Sequence, residues 1–226
     1  MSKEAPIEVE IWSDVVCPWC YIGKRRFEGA VEEVGMPVRI TWRSFELDPS
    51  APREPDPDLA GALARKYGMG PDEARRMLDE MTRVAADEGL DFDFANAKGG
   101  NTLDAHRLIH FARGTGGNEA ASAMKERLLR AYFVEGRPIA DRATLAELAS
   151  ELGHDRADVQ HLFESEELVQ DVRSDEQRAR ELGIRGVPFF VLDGKLGISG
   201  AQPVAVMAEG LRRARPAPAS RPHSPA

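Results

Sequence analysis

Cys17-Pro18-Trp19-Cys20 lies between two segments that have different hydrophobic periods. Residues 7–13 alternate apolar and acidic side chains, which predicts a strand. Residues 21–34 have helical spacing and end at Gly35, as helices commonly do. The sequence therefore predicts a strand, a short turn and a helix whose first turn carries two thiols. Because the chain has no other cysteine among its 226 residues, we expect this pair to be used for chemistry.

Composition and charge limit the class of protein. With 42% hydrophobic and 30% charged residues, the chain can bury a real core. A net charge of -8 argues against a nucleic-acid partner, which usually binds a basic face. Residues 1–6 lack the apolar segment of a secretory signal, and no run approaches the length of a membrane span. We therefore expect a cytoplasmic protein without a membrane partner, in which a CxxC pair is typically catalytic or metal-binding.

The rest of the chain divides by its periodicity. Residues 38–45 alternate again and complete a strand–helix–strand unit, which typically builds a parallel strand pair. Asp193-Gly194 is a hairpin signal between two short apolar runs near the carboxyl end, and a last helix follows them. Between these parts the pattern is helical, with helices expected near residues 58–67, 71–89, 102–114, 118–135, 142–152, 155–163 and 166–182.

We accordingly predict an α/β protein whose compact α/β domain is interrupted by a long all-helical insertion. The expected parts are an N-terminal part of the α/β domain at 6–57, the insertion at 58–182, a C-terminal part at 183–213 and a disordered tail at 214–226. The tail is expected to be disordered because it is rich in Pro, Ala and Ser.

The position of the two cysteines predicts a division of labour. Unpaired backbone N–H groups and the dipole at a helix N-terminus lower a thiol pKa from about 8.5 towards roughly 3.5–7.5. We therefore expect Cys17 to be the exposed nucleophile and Cys20, one turn later, to be the resolving thiol. Pro18 suits the first helical turn, and Trp19 offers an apolar face beside the sulfur, so both are candidate substrate contacts.

A second motif, Gly186-Val187-Pro188, precedes a predicted strand. An X-Pro bond at a strand's first residue is a candidate cis peptide. It would leave the backbone groups of Val187 free to hold an extended peptide beside the sulfurs. The simpler alternative is that Pro188 merely begins the strand, but the strand–CxxC–helix unit upstream favours the first interpretation.

Taken together, these features resemble a thioredoxin fold, and the helical insertion resembles the DsbA family. Residues 13–14, 45–49, 101–108 and 186–190 resemble its FrnE-like branch, which is related to 2-hydroxychromene-2-carboxylate isomerases and kappa-class glutathione transferases. The resemblance covers about residues 6–213. It implies a thiol–disulfide oxidoreductase or isomerase that exchanges disulfides at Cys17 and Cys20, with Val187 and Pro188 holding the partner.

The resemblance also implies partners and further contacts. Expected partners are protein or small-molecule thiols and disulfides, with a homodimer as a further possibility, and no organic cofactor is required. By the same analogy the cleft is lined by Phe45, Glu46, Asn101 and Thr102, for which a strand end and a helix cap are the alternative. One position departs from the pattern: many thioredoxin-like proteins carry a buried acid six residues before the nucleophile, where this chain has Ile11. Asp14 is expected in the loop, so the proton relay to Cys20 is open between Asp14 and water.

Two other functions are considered. A glutathione-linked isomerase or transferase would use glutathione as co-substrate, but such relatives usually rely on a serine or a single cysteine, whereas this chain has two thiols. A metal-binding module would need more ligands than one CxxC supplies, since zinc usually takes four. His106 and His110 are spaced i, i+4 and could add two ligands, although packing is the preferred explanation and no metal is expected.

The remaining histidines, His154, His161 and His223, have no evident partners. Phe111, Tyr132 and Phe133 are expected in the helical core.

Overall fold

The computed structural model describes residues 5–54 and 58–214. Its strands are β1 (Ile7–Ser13), β2 (Val38–Ser44), β3 (Phe189–Leu192) and β4 (Leu196–Ser199). Its helices are α1 (Pro18–Val34), α2 (Leu59–Tyr67), α3 (Pro71–Asp87), α4 (Leu103–Phe133), α5 (Arg142–Glu151), α6 (Arg156–Glu164), α7 (Val169–Glu181) and α8 (Val204–Ala214). Apart from Ala214, which ends α8, the tail predicted at 214–226 lies outside the described residues.

Strand β1 is the centre of the sheet. The strand order is β2-β1-β3-β4, with β1 parallel to β2 and antiparallel to β3. Ile11 pairs with Trp42 of β2 on one side and with Phe190 of β3 on the other. Strand β1 therefore joins the strands that precede the helical insertion to those that follow it. The helices from α2 to α7 lie between β2 and β3 in the chain. This arrangement confirms the predicted α/β thioredoxin fold with an inserted helical segment.

Local sequence signals fix both ends of helix α1. Cys17 is the N-cap of α1 with extended dihedral angles, and Pro18 fills the first helical position, where no N–H donor is needed. The helix therefore begins before the amphipathic stretch, and Cys20 lies in its first turn. At the far end Gly35 adopts φ 66°, and its N–H closes the helix on the Val31 carbonyl.

Helix α4, with 31 residues, brings His106 and Lys125 to the end of β1 and the loop after it. The two helices predicted at 102–114 and 118–135 form this one element, which breaks at Gly116 and Gly117. Gly117 has φ 73°, a left-handed value that glycine adopts without steric cost. Trp42 on β2 donates its Nε1–H to the Ser122 hydroxyl at 2.9 Å, which fixes the second half of α4 against the sheet.

A buried arginine joins α4 to α6. Arg107 donates to the carbonyl oxygens of Glu167 at 2.8 Å and Ser165 at 2.7 Å, and also to that of Leu162. These carbonyls lie at or just beyond the end of α6, where backbone acceptors lack helical partners. Arg107 also pairs with Asp104 at 2.7 Å, so the buried charge is compensated.

The hydrophobic core extends from the sheet into the helical insertion. Tyr132 and Phe133 are buried, which confirms their predicted place in the helical core, whereas Phe111 is half-buried against His154. A second, smaller cluster lies around Trp12 and includes Ala179, Ile184 and Val191. Among the described residues no helix combines the length and apolar character that a membrane crossing requires.

Candidate active site

The fold brings the two predicted motifs together. Cys17 and Cys20 are free thiols at the start of α1, and the Sγ atom of Cys17 lies 3.6 Å from the Val187 carbonyl oxygen. The Val187–Pro188 peptide bond is cis. The expectation that Cys17 is exposed is wrong: Cys17 is only 4% exposed and Cys20 1%. The loop before β3 covers the sulfur of Cys17 on one side. The residue lines a groove and is otherwise buried.

The two thiols titrate as a pair. The hydrogen bond to Cys20, followed by burial, raises the pKa of Cys17 well above its ordinary value, and the charge of Asp14 acts in the same direction. Burial opposes ionisation of Cys20, but its hydrogen bond with Cys17 and the charge of Lys125 lower the pKa of Cys20. The charge of Lys125 therefore favours an ionised pair, whereas the charge of Asp14 opposes ionisation of Cys17. The raised pKa corrects the prediction of a lowered pKa at Cys17, since its position at the helix end is outweighed by the second sulfur.

Asp14 lies in the loop after β1, as predicted, but its carboxylate is fully buried. It accepts hydrogen bonds from the backbone N–H of Val15 at 2.7 Å and of Leu47 at 2.8 Å. Its Oδ1 also lies 3.2 Å from His106 Nε2. Burial opposes ionisation, yet the His106 hydrogen bond and the other donors lower the pKa of Asp14. Asp14 is thus a fixed negative charge beside the thiols.

Lys125 is a functional candidate that sequence reasoning missed. Its side chain is 1% exposed, and its Nζ donates to the Ser13 carbonyl at 3.3 Å. Burial lowers the pKa of Lys125 to about 8, although the negative charges of Cys20 and Asp14 oppose this change. A sequence signal existed, because Lys125 occupies the buried face of α4 together with Ala121, Leu128, Leu129 and Tyr132.

Cys17 lines an apolar groove with a volume of about 760 Å³. The groove lies between the motif and helices α2 and α3, and Trp19, Leu47 and Tyr67 on its lining are 41%, 41% and 60% exposed. Its other members include Val16, Pro52, Leu59, Leu63, Met77, Leu78, Met81, Phe94, Thr102 and Tyr132. The volume falls in the range of small-molecule and peptide side-chain sites, and the lining is mainly hydrophobic.

The predicted substrate contacts fall into two groups. Pro18, Trp19 and Val187 line the groove. Pro188 packs against α1, because a Cβ atom placed on Gly23 would lie 2.8 Å from Pro188 Cγ. This close approach explains why α1 carries glycine at that position.

Phe45 and Asn101 are not among the residues that line the groove in the described part of the chain. Phe45 packs against the cluster around Trp12. Asn101 donates to the Pro49 carbonyl at 3.2 Å and accepts from the Leu103 N–H at 3.0 Å, so it ties the groove loop to the start of α4. Their substrate contacts remain predictions.

The histidines considered as metal ligands bind carboxylates instead. His106 contacts Asp14, while His110 Nε2 lies 3.0 Å from the Ser44 hydroxyl and 3.1 Å from Asp175 Oδ2. Within residues 5–54 and 58–214 no group of three or more His, Cys, Asp or Glu side chains is arranged to hold a metal ion. His161 lies 3.7 Å from Glu167, and His223 lies outside the described residues.

Comparison with known proteins agrees with this arrangement of motif, loop and insertion. A family model described as a DSBA-like thioredoxin domain matches residues 8–212. The chain belongs to the DsbA-like thioredoxin family. This membership confirms the predicted resemblance to the DsbA family. The matched residues include both the helix that carries the CxxC motif and the loop before β3.

Several individual proteins match most of this chain. The chain is 40% identical to SCO1869, a probable DsbA oxidoreductase from Streptomyces coelicolor, with a TM-score of 0.84 over 92% of this chain and 89% of that one. It is 30% identical over 199 residues to the uncharacterized protein YwbO of Bacillus subtilis (strain 168), covering 86% of this chain and 90% of YwbO. The cytosolic disulfide reductase DsbM of Pseudomonas aeruginosa shares the fold at 22% identity, with a TM-score of 0.63 over 91% of this chain and 99% of DsbM.

Proposed function

We propose that this DsbA-like protein is a thiol–disulfide oxidoreductase that uses Cys17 and Cys20. The observation that carries the proposal is the position of Cys17, which lines the apolar groove and whose Sγ atom lies 3.6 Å from the Val187 carbonyl oxygen. A sulfur so placed can meet a substrate disulfide while the Val187 backbone aligns the flanking chain. Cys20 is not among the groove-lining residues, which suits a resolving thiol.

The proposed reaction is two successive exchanges. As a substrate disulfide approaches, the shared proton moves to Cys20, and the Cys17 thiolate attacks one substrate sulfur. A mixed disulfide forms and the first substrate thiolate leaves. Cys20 then loses its proton and attacks Cys17, which releases the second thiolate. Two electrons pass to the substrate, and the reverse sequence oxidises a dithiol. The chain needs no organic cofactor for either direction.

The groove favours substrates whose reactive sulfur has apolar neighbours. Trp19, Leu47 and Tyr67 expose hydrophobic surface that a matching substrate would cover. We therefore propose protein or small-molecule thiols and disulfides with hydrophobic groups beside the sulfur. We place the reaction in the cytoplasm, because the chain has no cysteines other than the motif pair and the similar fold of DsbM belongs to a cytosolic reductase.

A glutathione-linked isomerase or transferase is the second candidate function. The observation in its favour is that DsbM has also been solved with GSH. A chain that uses glutathione in this way would need one reactive residue, whereas this chain positions two thiols in one helical turn.

The experiment that separates the two functions is the Cys20→Ser variant. Disulfide exchange requires both thiols, so insulin reduction and disulfide isomerisation are expected to fall to background, as they also do for Cys17→Ser. A glutathione-dependent isomerase would lose activity only in Cys17→Ser. Unimpaired insulin reduction by Cys20→Ser would overturn the oxidoreductase proposal.

A further inference from the structure

We propose that Lys125 is the charge and proton partner of Cys20 and so performs the task for which the chain lacks an acid at Ile11. The inference rests on the proposed dithiol function and adds to it a residue from the helical insertion. Lys125 acts through Cys20, so it is a positioning residue for the resolving step.

The geometry around Lys125 leads from the helical insertion to the sulfur. Its Nζ atom donates to the Ser13 carbonyl at 3.3 Å, and the Ser13 hydroxyl lies 3.5 Å from the Asp14 carbonyl oxygen. The Ser13 side chain also helps to lower the pKa of Cys20. The ammonium also lies 5.7 Å from the centre of the Trp42 ring. Ser13, at the end of β1, thus contacts the lysine directly and influences the ionisation of the resolving cysteine.

The charge of Lys125 is not neutralised by a carboxylate in direct contact. Among the described residues it forms no ion pair, and its one polar hydrogen-bond partner is the Ser13 carbonyl. A buried ammonium in this setting is costly unless another negative charge is close. The ionisable groups that face it are Cys20 and Cys17 on α1, Asp14 after β1 and the like-charged Lys24 on α1. Of these, Cys20 exerts the largest opposing charge effect.

Lys24 is a second buried lysine in the same region, and it differs from Lys125 in its ion pairs. It is also buried, and it lies one helical turn beyond Cys20 on α1. However, it pairs with Glu28 at 2.5 Å and with Glu126 at 2.6 Å, so its charge is neutralised locally. Lys125 has no such pair, and its charge is available to the thiolate.

The proposed step starts from the mixed disulfide between Cys17 and a substrate. The unprotonated Lys125 amine takes the proton of the Cys20 thiol, and the Cys20 thiolate attacks Cys17 Sγ. The bond between the two enzyme sulfurs forms as the bond between Cys17 and the substrate sulfur breaks. The substrate leaves as a thiolate with the electron pair and takes a proton from Lys125 or water. The substrate is reduced by two electrons and the enzyme dithiol is oxidised, so no other reactant is needed.

A redox consequence follows from the same charges. When the reduced pair is ionised, Lys125 faces a thiolate, whereas in the disulfide form that charge is gone and only the charge of Asp14 remains. Lys125 therefore stabilises the reduced form and raises the reduction potential of the pair. By linkage, formation of the disulfide releases protons from Lys125 near neutral pH.

The test replaces the charge while keeping the shape. Lys125→Met removes the charge and keeps a side chain of similar length, and thermal unfolding checks that the variant is folded. The thiolate absorbance is expected to titrate at higher pH than in the wild type, because the charge of Lys125 lowers the pKa of Cys20. The equilibrium with glutathione should shift about tenfold towards the disulfide, which corresponds to a potential about 30 mV lower.

Two further variants separate charge from proton transfer and from packing. Lys24→Met is the matched control and should change the thiolate titration and the glutathione equilibrium far less than Lys125→Met does, because its charge is paired with Glu28 and Glu126. Lys125→Arg keeps the charge but does not release its proton, so the potential should stay near that of the wild type while release of a mixed disulfide slows at least tenfold. A thiolate titration and potential in Lys125→Met equal to those of the wild type would overturn the proposal.

These readouts do not depend on the substrate. If wild-type protein failed to reduce insulin, the proposed function would fall, but a shifted thiolate titration in Lys125→Met would still establish the coupling. If insulin were reduced and Lys125→Met titrated like wild type, only the role of Lys125 would be rejected.

Discussion

The Val187 carbonyl oxygen and the Cys17 sulfur are 3.6 Å apart, although 170 positions separate the two residues in the chain. The contact exists because β3 pairs with β1 and places the preceding loop over the first turn of α1. The Trp12↔Phe189 pair at the end of this ladder lies just before the motif in one strand and just after the loop in the other. The close packing of Pro188 against α1 at Gly23 is a second constraint on the distance between the sulfur and the loop.

Gly23→Ala should disturb that distance. A Cβ atom at this position would lie 2.8 Å from Pro188 Cγ and 3.4 Å from Ala201 Cβ, so the loop must move away from α1. Overpacking of this kind typically costs about 1–3 kcal/mol of unfolding free energy. We expect lower stability in urea and a lower rate of disulfide exchange.

Gly29→Ala on the same helix is the control. Its Cβ atom would meet only Val204 at 3.5 Å, which is ordinary van der Waals contact. Because alanine favours a helix over glycine by roughly 0.5–1 kcal/mol, this variant should be as stable as the wild type or more stable, with unchanged exchange. Equal behaviour of the two variants would show that the Gly23 contact does not position the loop.

Leu63→Asp tests the proposed substrate class. Leu63 lines the apolar groove, so a carboxylate there should weaken binding of a substrate with hydrophobic residues beside its disulfide. We expect kcat/KM to fall roughly tenfold for a peptide disulfide with leucine neighbours, mainly through KM, because one apolar contact is worth about 1–3 kcal/mol. A peptide with polar neighbours should change much less.

Leu152→Asp controls for a general effect of added charge. Leu152 is already partly exposed and does not belong to the groove lining. The Leu152→Asp variant should therefore have the wild-type kcat/KM for both peptides. If Leu63→Asp lowered kcat/KM equally for the two peptides, the groove would not select apolar substrates.

The frame of the site could be predicted because its signals act between neighbours in the chain. Pro18 begins α1 and Gly35 ends it, each through a local backbone requirement. Asp193 and Gly194 both have positive φ, as the predicted hairpin turn requires, and they join β3 to β4. Strand order then follows from pairing the strand–helix–strand unit with this hairpin.

The electrostatics of the site could not be predicted in the same way. Lys125 reaches Ser13 across 112 positions, and this contact depends on how α4 packs over the sheet after its break at Gly116 and Gly117. Likewise, the burial of Cys17 depends on the loop at Val187. The lowered pKa expected at Cys17 was wrong for this reason, since a helix end acts locally while the competing thiol and buried charges come from the tertiary fold.

Asp14→Asn should have two separate effects. Asp14 raises the pKa of Cys17 through its charge, although the hydrogen bond to Cys20 and burial act more strongly. Removing the charge should therefore shift the titration of Cys17 to lower pH, opposite in direction to the shift that Lys125→Met is expected to cause at Cys20. The amide also cannot accept from Val15, Leu47 and His106 as the carboxylate does, so unfolding should become easier by about 1–3 kcal/mol near neutral pH.

The stability effect of Asp14 should depend on pH in a defined direction. Burial opposes its ionisation, but the His106 hydrogen bond and the backbone donors leave the pKa of Asp14 below the unfolded value of 3.8. Its contribution is therefore present above about pH 4 and is lost as pH falls through the lower folded pKa. Urea unfolding at several pH values should show wild type and Asp14→Asn converging in acid, while Asp79→Asn on the exposed face of α3 matches wild type throughout. A difference that stayed constant into acid would mean that the carboxylate is not ionised in the folded protein.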